Sequence, residues 1–316
     1  MERKLFYNDI TIIKLLATFF ITWFHFKGVV PESLAPLFIG GAIGNSCFFY
    51  ASGYLLSFKP EKYRGQWLVN KYVRIMPSVW IFSIVMLAAT IGGVKWYNFL
   101  YPTQFWFVNC ILCYFLIVYL VRKLLDTKKG SVILCSTLLC VYFGFYHLNV
   151  DHTKIVMDEG GFKCWFFFFF FFFLWGYYDK RHKTTCVGTW RSILWLVAAI
   201  CLFFLYKKVG CKDSTLLYLQ FIFIPVCLFV VVYFVRYVAN FIASWPLSYR
   251  TKKVFSLLSD MTLDIYIVQI VIIDLLGMVV PFPLSIVLLM LSILIAAYVN
   301  NYVAQIIRKV LTKILP

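Results

Sequence analysis

The sequence predicts an all-α fold, a polytopic integral membrane protein of about ten transmembrane helices. Three observations carry this expectation. The 316 residues are 63% hydrophobic and 21% aromatic but only 14% charged, whereas a soluble domain has about 25% charged residues. Apolar stretches of about 20 residues, the length that crosses roughly 30 Å of hydrocarbon, recur from end to end. The cations, finally, are shared unequally between alternate connecting segments.

The stretches place spans at 10–30, 36–58, 75–95, 105–121, 131–148, 164–178, 192–206, 215–235, 254–276 and 284–306. The first runs through Phe24 and His25 to Val30 with no small-residue cleavage site, so it reads as a retained helix rather than a signal peptide. The second ends "SCFFYASGYLLS", where small Ser52 and Gly53 let a backbone or a ligand approach closely. The third begins near Pro77, just after the most basic loop. The fourth holds Cys110 and Cys113 in "NCILCY". Without paired histidines or a second cysteine pair, these cysteines read as small hydrophobes packing helices, not as a metal or redox site. The sixth contains the low-complexity run Phe166 to Phe173. The spans leave little room for a separate soluble domain, and no internal repeat is visible.

A net charge of +17 would suggest nucleic acid in a soluble protein. With the N-terminus in the cytoplasm, however, inside segments hold 22 of the 30 Lys and Arg residues and outside segments seven. Lys14, within the first span, is the remaining one. This split obeys the positive-inside rule, puts both termini in the cytoplasm and makes the basic charge mostly a matter of topology.

Lys14 and His25 stand out in the first span. They are 11 residues apart, which puts them within roughly 20° of one helix face and about 16 Å apart along the axis. Ionisable groups at membrane depth cost about 2.5 kcal/mol or more and normally face a polar cavity, so they point to function. Plainer readings compete. Lys14 can snorkel to the cytoplasmic interface, and His25 can be a satisfied interfacial histidine. Sharing one face weighs against both holding together. In the basic loop, Lys71 and Arg74 lie one helical turn apart and can grip one anion. Positive-inside anchoring accounts for them equally well.

Together these residues resemble the acyltransferase 3 family, membrane enzymes that move acyl groups from coenzyme A to carbohydrate and other acceptors. That family carries a basic residue, ten residues, then His in its first span, matched here by Lys14 and His25, with Ala17 in the usual small position. Its aromatic S-G-F segment is similar to "FFYASGY", with Ser52, Gly53 and Tyr54. Its R-x-x-R before proline is similar to Lys71, Arg74 and Pro77, one Arg being replaced by Lys. "QFWFVNCILCYFL" resembles its W-F…Y segment through Trp106, Phe107 and Tyr114, and "FFLWGYYDKR" its glycine-bearing sixth span. "LSDMTLDIYIVQ" resembles its S-x-x-I-Y-L-x-H, except that Gln269 stands where many members have a second His. A proton-handling role at that position therefore does not carry over.

The resemblance covers nearly the whole chain and implies one transmembrane domain over 1–316, a multi-pass protein of the bacterial plasma membrane. It implies acetyl-CoA as the acyl donor with no metal, a carbohydrate acceptor and no nucleic-acid partner. Lys14 and His25 become the expected catalytic residues. Lys71, Arg74, Ser52 and Gly53 would bind the donor, and Trp106, Tyr114 and Tyr266 the substrate. The chemistry agrees, since acyl transfer to a hydroxyl needs a base, and a neutral imidazole in a span is a good one. His25 could instead carry the acyl group itself. The outer segment 149–163 is a candidate acceptor contact or a plain connector. An anion transporter is the main rival, though no related halves or paired broken helices are visible. A non-catalytic subunit of a polysaccharide assembly complex is the third reading.

Overall fold

A computed structural model describes residues 8–56, 64–91, 93–149, 161–182, 190–210, 218–277 and 281–314. The expected acceptor contact at 149–163 lies mostly outside them. All regular structure among the described residues is helical. In chain order the helices are α1 (Asp9–His25), α2 (Gly41–Tyr54), α3 (Arg64–Ala88), α4 (Trp106–Leu125), α5 (Lys128–Asn149) and α6 (Gly161–His182). They continue with α7 (Trp190–Gly210), α8 (Gln220–Ala243), α9 (Tyr249–Asp260), α10 (Thr262–Leu276) and α11 (Leu284–Ile314).

Each expected span coincides with a helix, or for 254–276 with the pair α9 and α10. Among the described residues six helices are long and apolar enough to cross by themselves: α1 with its following turn, α3, α4, α5, α8 and α11. The pair α9 and α10, bent by 62° at Met261, makes a seventh if it counts as one span. Helix α2 has 14 residues, so it is about 21 Å long and falls short of the hydrocarbon thickness. The third span also starts earlier than expected. Pro77 lies inside α3 rather than at its start, so Lys71 and Arg74 ride on the helix and not in a loop. Neighbouring helices in a membrane bundle can re-satisfy the carbonyl that a proline frees.

Helix α1 is the centre of the bundle. Its start is fixed by a capping box, in which Thr11 N donates to Asn8 Oδ1 at 3.1 Å and Asn8 N to Thr11 Oγ1 at 3.3 Å. Asp9 in the first turn suits the positive end of the helix dipole. From there α1 touches α2, α8, α9 and α10.

Small residues set the close approaches on one side. A Cβ on Gly44 would come within 2.6 Å of the Ala17 carbonyl oxygen of α1. One on Gly53 would meet the Phe173 oxygen of α6 at 1.8 Å, and one on Gly176 the Tyr50 oxygen at 2.0 Å. Backbones this close are how helices associate in lipid, where no hydrophobic force drives them together. Around that seam the phenylalanine run is core. Phe49 lies 4.6 Å from Phe107, 5.1 Å from Tyr114 and 5.3 Å from Phe169, centroid to centroid. Meanwhile α11 turns Leu284, Val287, Leu291 and Ile295 outward, an apolar exterior suited to hydrocarbon.

Candidate functional site

A cavity of about 480 Å³ opens between α1, α2, α3, α4, α10 and α11. Lys14 lines its α1 wall, Ser52 its α2 wall, Lys71 and Arg74 its α3 wall, and Arg308 and Lys309 its α11 wall. The charge of Arg74 acts on both Lys14 and Lys71. Among the described residues no ion pair engages Lys71 or Arg74. Lys71 instead sits over the rings of Trp67 at 5.4 Å and Phe115 at 5.2 Å, the cation–π contact that an aromatic wall offers. Clustered cations in an apolar setting repel one another, and an anion in the cavity relieves that cost.

The broken helix explains how Lys14 is held. Its ammonium donates to the Ser259 carbonyl at the end of α9, and the Thr262 hydroxyl donates to the same oxygen at 3.0 Å. Helix ends leave carbonyls without intrahelical partners, and a cation there also complements the dipole. Lys14 therefore does two things: it closes the break between α9 and α10, and it lines the cavity.

A second polar group faces the same cavity. Asp264, in the first turn of α10, is fully buried. Asn300 donates to its Oδ1 at 2.7 Å and Asn301 to its Oδ2 at 2.6 Å, and Ser78 is also hydrogen-bonded to it. Asn300 donates at 3.1 Å to the Ser78 carbonyl, and Arg308 donates to the Ser78 hydroxyl at 2.6 Å. This network ties α3, α10 and α11 together and fixes Arg308 at the rim. Buried polar groups in lipid must find such partners. Nothing in the sequence reading pointed to Asp264, although a carboxylate inside the "LSDMTLDIYIVQ" span was a visible signal.

The structure brings together five of the sequence-predicted residues: Lys14, Ser52, Lys71, Arg74 and Tyr266 all line the cavity. The other four lie elsewhere. Gly53 packs on the α6 backbone. Tyr114 is fully buried, and its hydroxyl donates to the Phe166 carbonyl. Trp106 packs beside Phe169 at 5.9 Å. His25 is half-buried at the far end of α1 and outside the cavity, its ring edge-on to Phe24 at 5.6 Å. Tyr266 and Phe107, whose rings are 5.1 Å apart, form the end of the cavity on that side. Beyond them Thr22 donates to Gln269 Oε1 at 2.7 Å, and one turn further along α1 comes His25, where the charge of Asp274 acts on the imidazole.

A family model described as an acyltransferase domain matches residues 7–301. No curated protein and no solved structure matched the chain.

Proposed function

The chain belongs to the acyltransferase 3 family, and from that premise we propose that it moves an acyl group, acetyl in the first instance, from acyl-CoA to a hydroxyl of a surface polysaccharide or lipid-linked sugar. The observation that carries this reading is the cavity on which Lys71 and Arg74 converge, neither engaged in an ion pair among the described residues. Coenzyme A is a polyanion with a long neutral arm. Lys71 and Arg74 supply charge-assisted donors for its phosphates, beside Arg308 and Lys309 at the same rim. The arm then runs along the α1 wall past Lys14 toward Tyr266. With the N-terminus in the cytoplasm, as the cation asymmetry favours, this basic end faces the compartment that holds coenzyme A.

His25 is the base in this reading. Neutral imidazole takes the proton of the acceptor hydroxyl as its oxygen attacks the thioester carbonyl carbon, and returns it to the departing thiolate. The alternative, in which His25 Nε2 or Nδ1 forms the acyl bond first, uses the same geometry in two steps. The thioester reaches His25 once the Tyr266–Phe107 pair parts, because that pair ends the cavity.

The test uses purified protein in detergent with labelled acetyl-CoA. Thioester hydrolysis or acyl labelling should be measurable, and His25→Ala should lower it at least about 10²-fold, the low end for a positioned general base. Full turnover in His25→Ala would overturn the reading.

A further inference from the structure

Gln269 is buried to 1% exposure within α10, and its Nε2 has no hydrogen-bond partner. Most buried polar groups in folded proteins are satisfied, so an orphaned amide asks for a cause. Its other end is not free. Thr22 on α1 donates to Oε1 at 2.7 Å, which assigns the oxygen end of the amide and leaves Nε2 as its open donor.

Three contacts place Gln269 along α1. Lys14 reaches Ser259, Thr22 reaches Gln269, and a Cβ on Gly277 would meet Val29 Cγ1 at 2.3 Å. The two chain segments therefore run side by side in the same direction. Thr22 precedes His25 by three residues, about 4.5 Å of rise on the same face. Gln269 follows Tyr266, the end of the cavity, by one turn on α10. The orphaned donor thus sits between the cavity and the imidazole.

We propose that Gln269 Nε2–H is the hydrogen-bond donor to the acyl carbonyl oxygen in the transfer step, an assignment that rests on the acyltransferase reading above. The acceptor oxygen bonds to the carbonyl carbon while its proton passes to His25, and the C=O pair moves onto oxygen, where Gln269 donates. When the C–S bond breaks, the oxygen pair re-forms C=O, and the thiolate takes the proton back from His25. The amide is held ready by Thr22, so no reorganisation is needed as charge develops, which is what makes such donors effective. An amide also does this work without changing its own protonation.

Acetyl-CoA hydrolysis by the purified full chain tests the assignment, with water as the acceptor. Gln269→Leu, close in volume, should lower kcat about 10²-fold, the low end for one lost donor, and leave KM for acetyl-CoA within about two-fold. Its Tm should fall little, because the change removes the orphaned Nε2 while the Thr22 hydroxyl, losing Oε1, can bond back to the carbonyl one turn earlier on α1. Gln269→His keeps a ring N–H and should regain part of the rate. Thr22→Val releases the amide and should cost about ten-fold. A wild-type kcat in Gln269→Leu beside an inactive His25→Ala overturns this assignment alone. Loss of kcat matched by a large fall in Tm does so too, since that is a packing effect. If Gln269→Leu yields no folded protein, Thr22→Val decides, and full turnover there overturns the assignment. Full turnover in His25→Ala instead overturns the acyltransferase reading beneath it.

Discussion

Two charged clusters among the described residues of this bundle are built differently. In one, Arg236 of α8 meets Asp179 of α6 at 2.7 Å, with the two side chains 8% and 4% exposed. Tyr50 donates to the same carboxylate at 2.9 Å, and the guanidinium lies over the rings of Tyr50 at 5.0 Å and Trp175 at 5.1 Å. Every charge there has a partner, and neither Asp179 nor Arg236 lines a described cavity. In the other, Lys14, Lys71 and Arg74 crowd one cavity, and among the described residues Lys71 and Arg74 form no ion pair with Asp260 or Asp264, the carboxylates that line it too. The contrast teaches that an ionisable residue within a membrane bundle is not by itself a sign of chemistry. A closed pair is a bolt between helices. Cations left open to a cavity invite a ligand.

The largest effect should come from opening the closed pair. Arg236→Ala takes the guanidinium away from the buried Asp179 carboxylate and should cost about 3–5 kcal/mol of stability. A thermal shift in detergent would read this as a large fall in Tm. Replacing both members, as Asp179→Leu with Arg236→Met, should cost less than Arg236→Ala alone; a larger loss in the double variant would contradict the picture of a bolt.

Changes to the open cluster should strike function more than stability. Lys14→Ala removes the cation that closes the α9–α10 break, and transfer should fall at least ten-fold, of the order expected for a lost charged hydrogen bond. Lys14→Arg still donates to the Ser259 carbonyl and should keep much of the activity. Equal loss in both variants would mean that shape, not charge, matters at this position. Next in size, Arg74→Ala or Lys71→Ala should raise KM for acyl-CoA roughly ten-fold with kcat comparatively intact. Unchanged donor affinity in both would return them to topological anchors. The smallest effect should be none. His147 is exposed and paired with Tyr218 at 3.0 Å, so His147→Ala should transfer at the wild-type rate.

Local signals carried much of this. The apolar runs located the helices, with 254–276 covering both α9 and α10 but not the bend between them, because length and hydropathy follow from the bilayer itself. The one-turn spacing of Lys71 and Arg74 also anticipated that both line one wall of the cavity, whereas the shared face of Lys14 and His25 did not bring both to it, since Lys14 lines the cavity and His25 does not. What spacing did not supply was the facing of residues on partner helices. Gly53 and Tyr114 sit in motifs that the family uses, yet the structure turns the first onto the α6 backbone and the second into the phenylalanine core. Whether a small residue admits a ligand or a neighbouring helix depends on what stands opposite, which no local pattern states. Pro77 misled for a related reason, since its cost inside α3 is decided by neighbours. Asp264 was passed over although it stands in a quoted span. Its partners Asn300 and Asn301 are 36 and 37 residues away.

The clasp of Lys14 on Ser259 joins residues 245 positions apart, and Asn300 reaches back 222 positions to Ser78. During synthesis α1 and α3 enter the bilayer long before α10 and α11 exist. Until then Lys14 has no carbonyl to close upon, and the wall that bears Arg308 is missing. The cavity is thus complete only once α11 is in place. A nascent chain released before Asn300 would hold its early helices but lack the α11 wall, so the site comes into being late, by the docking of one helix onto walls already made.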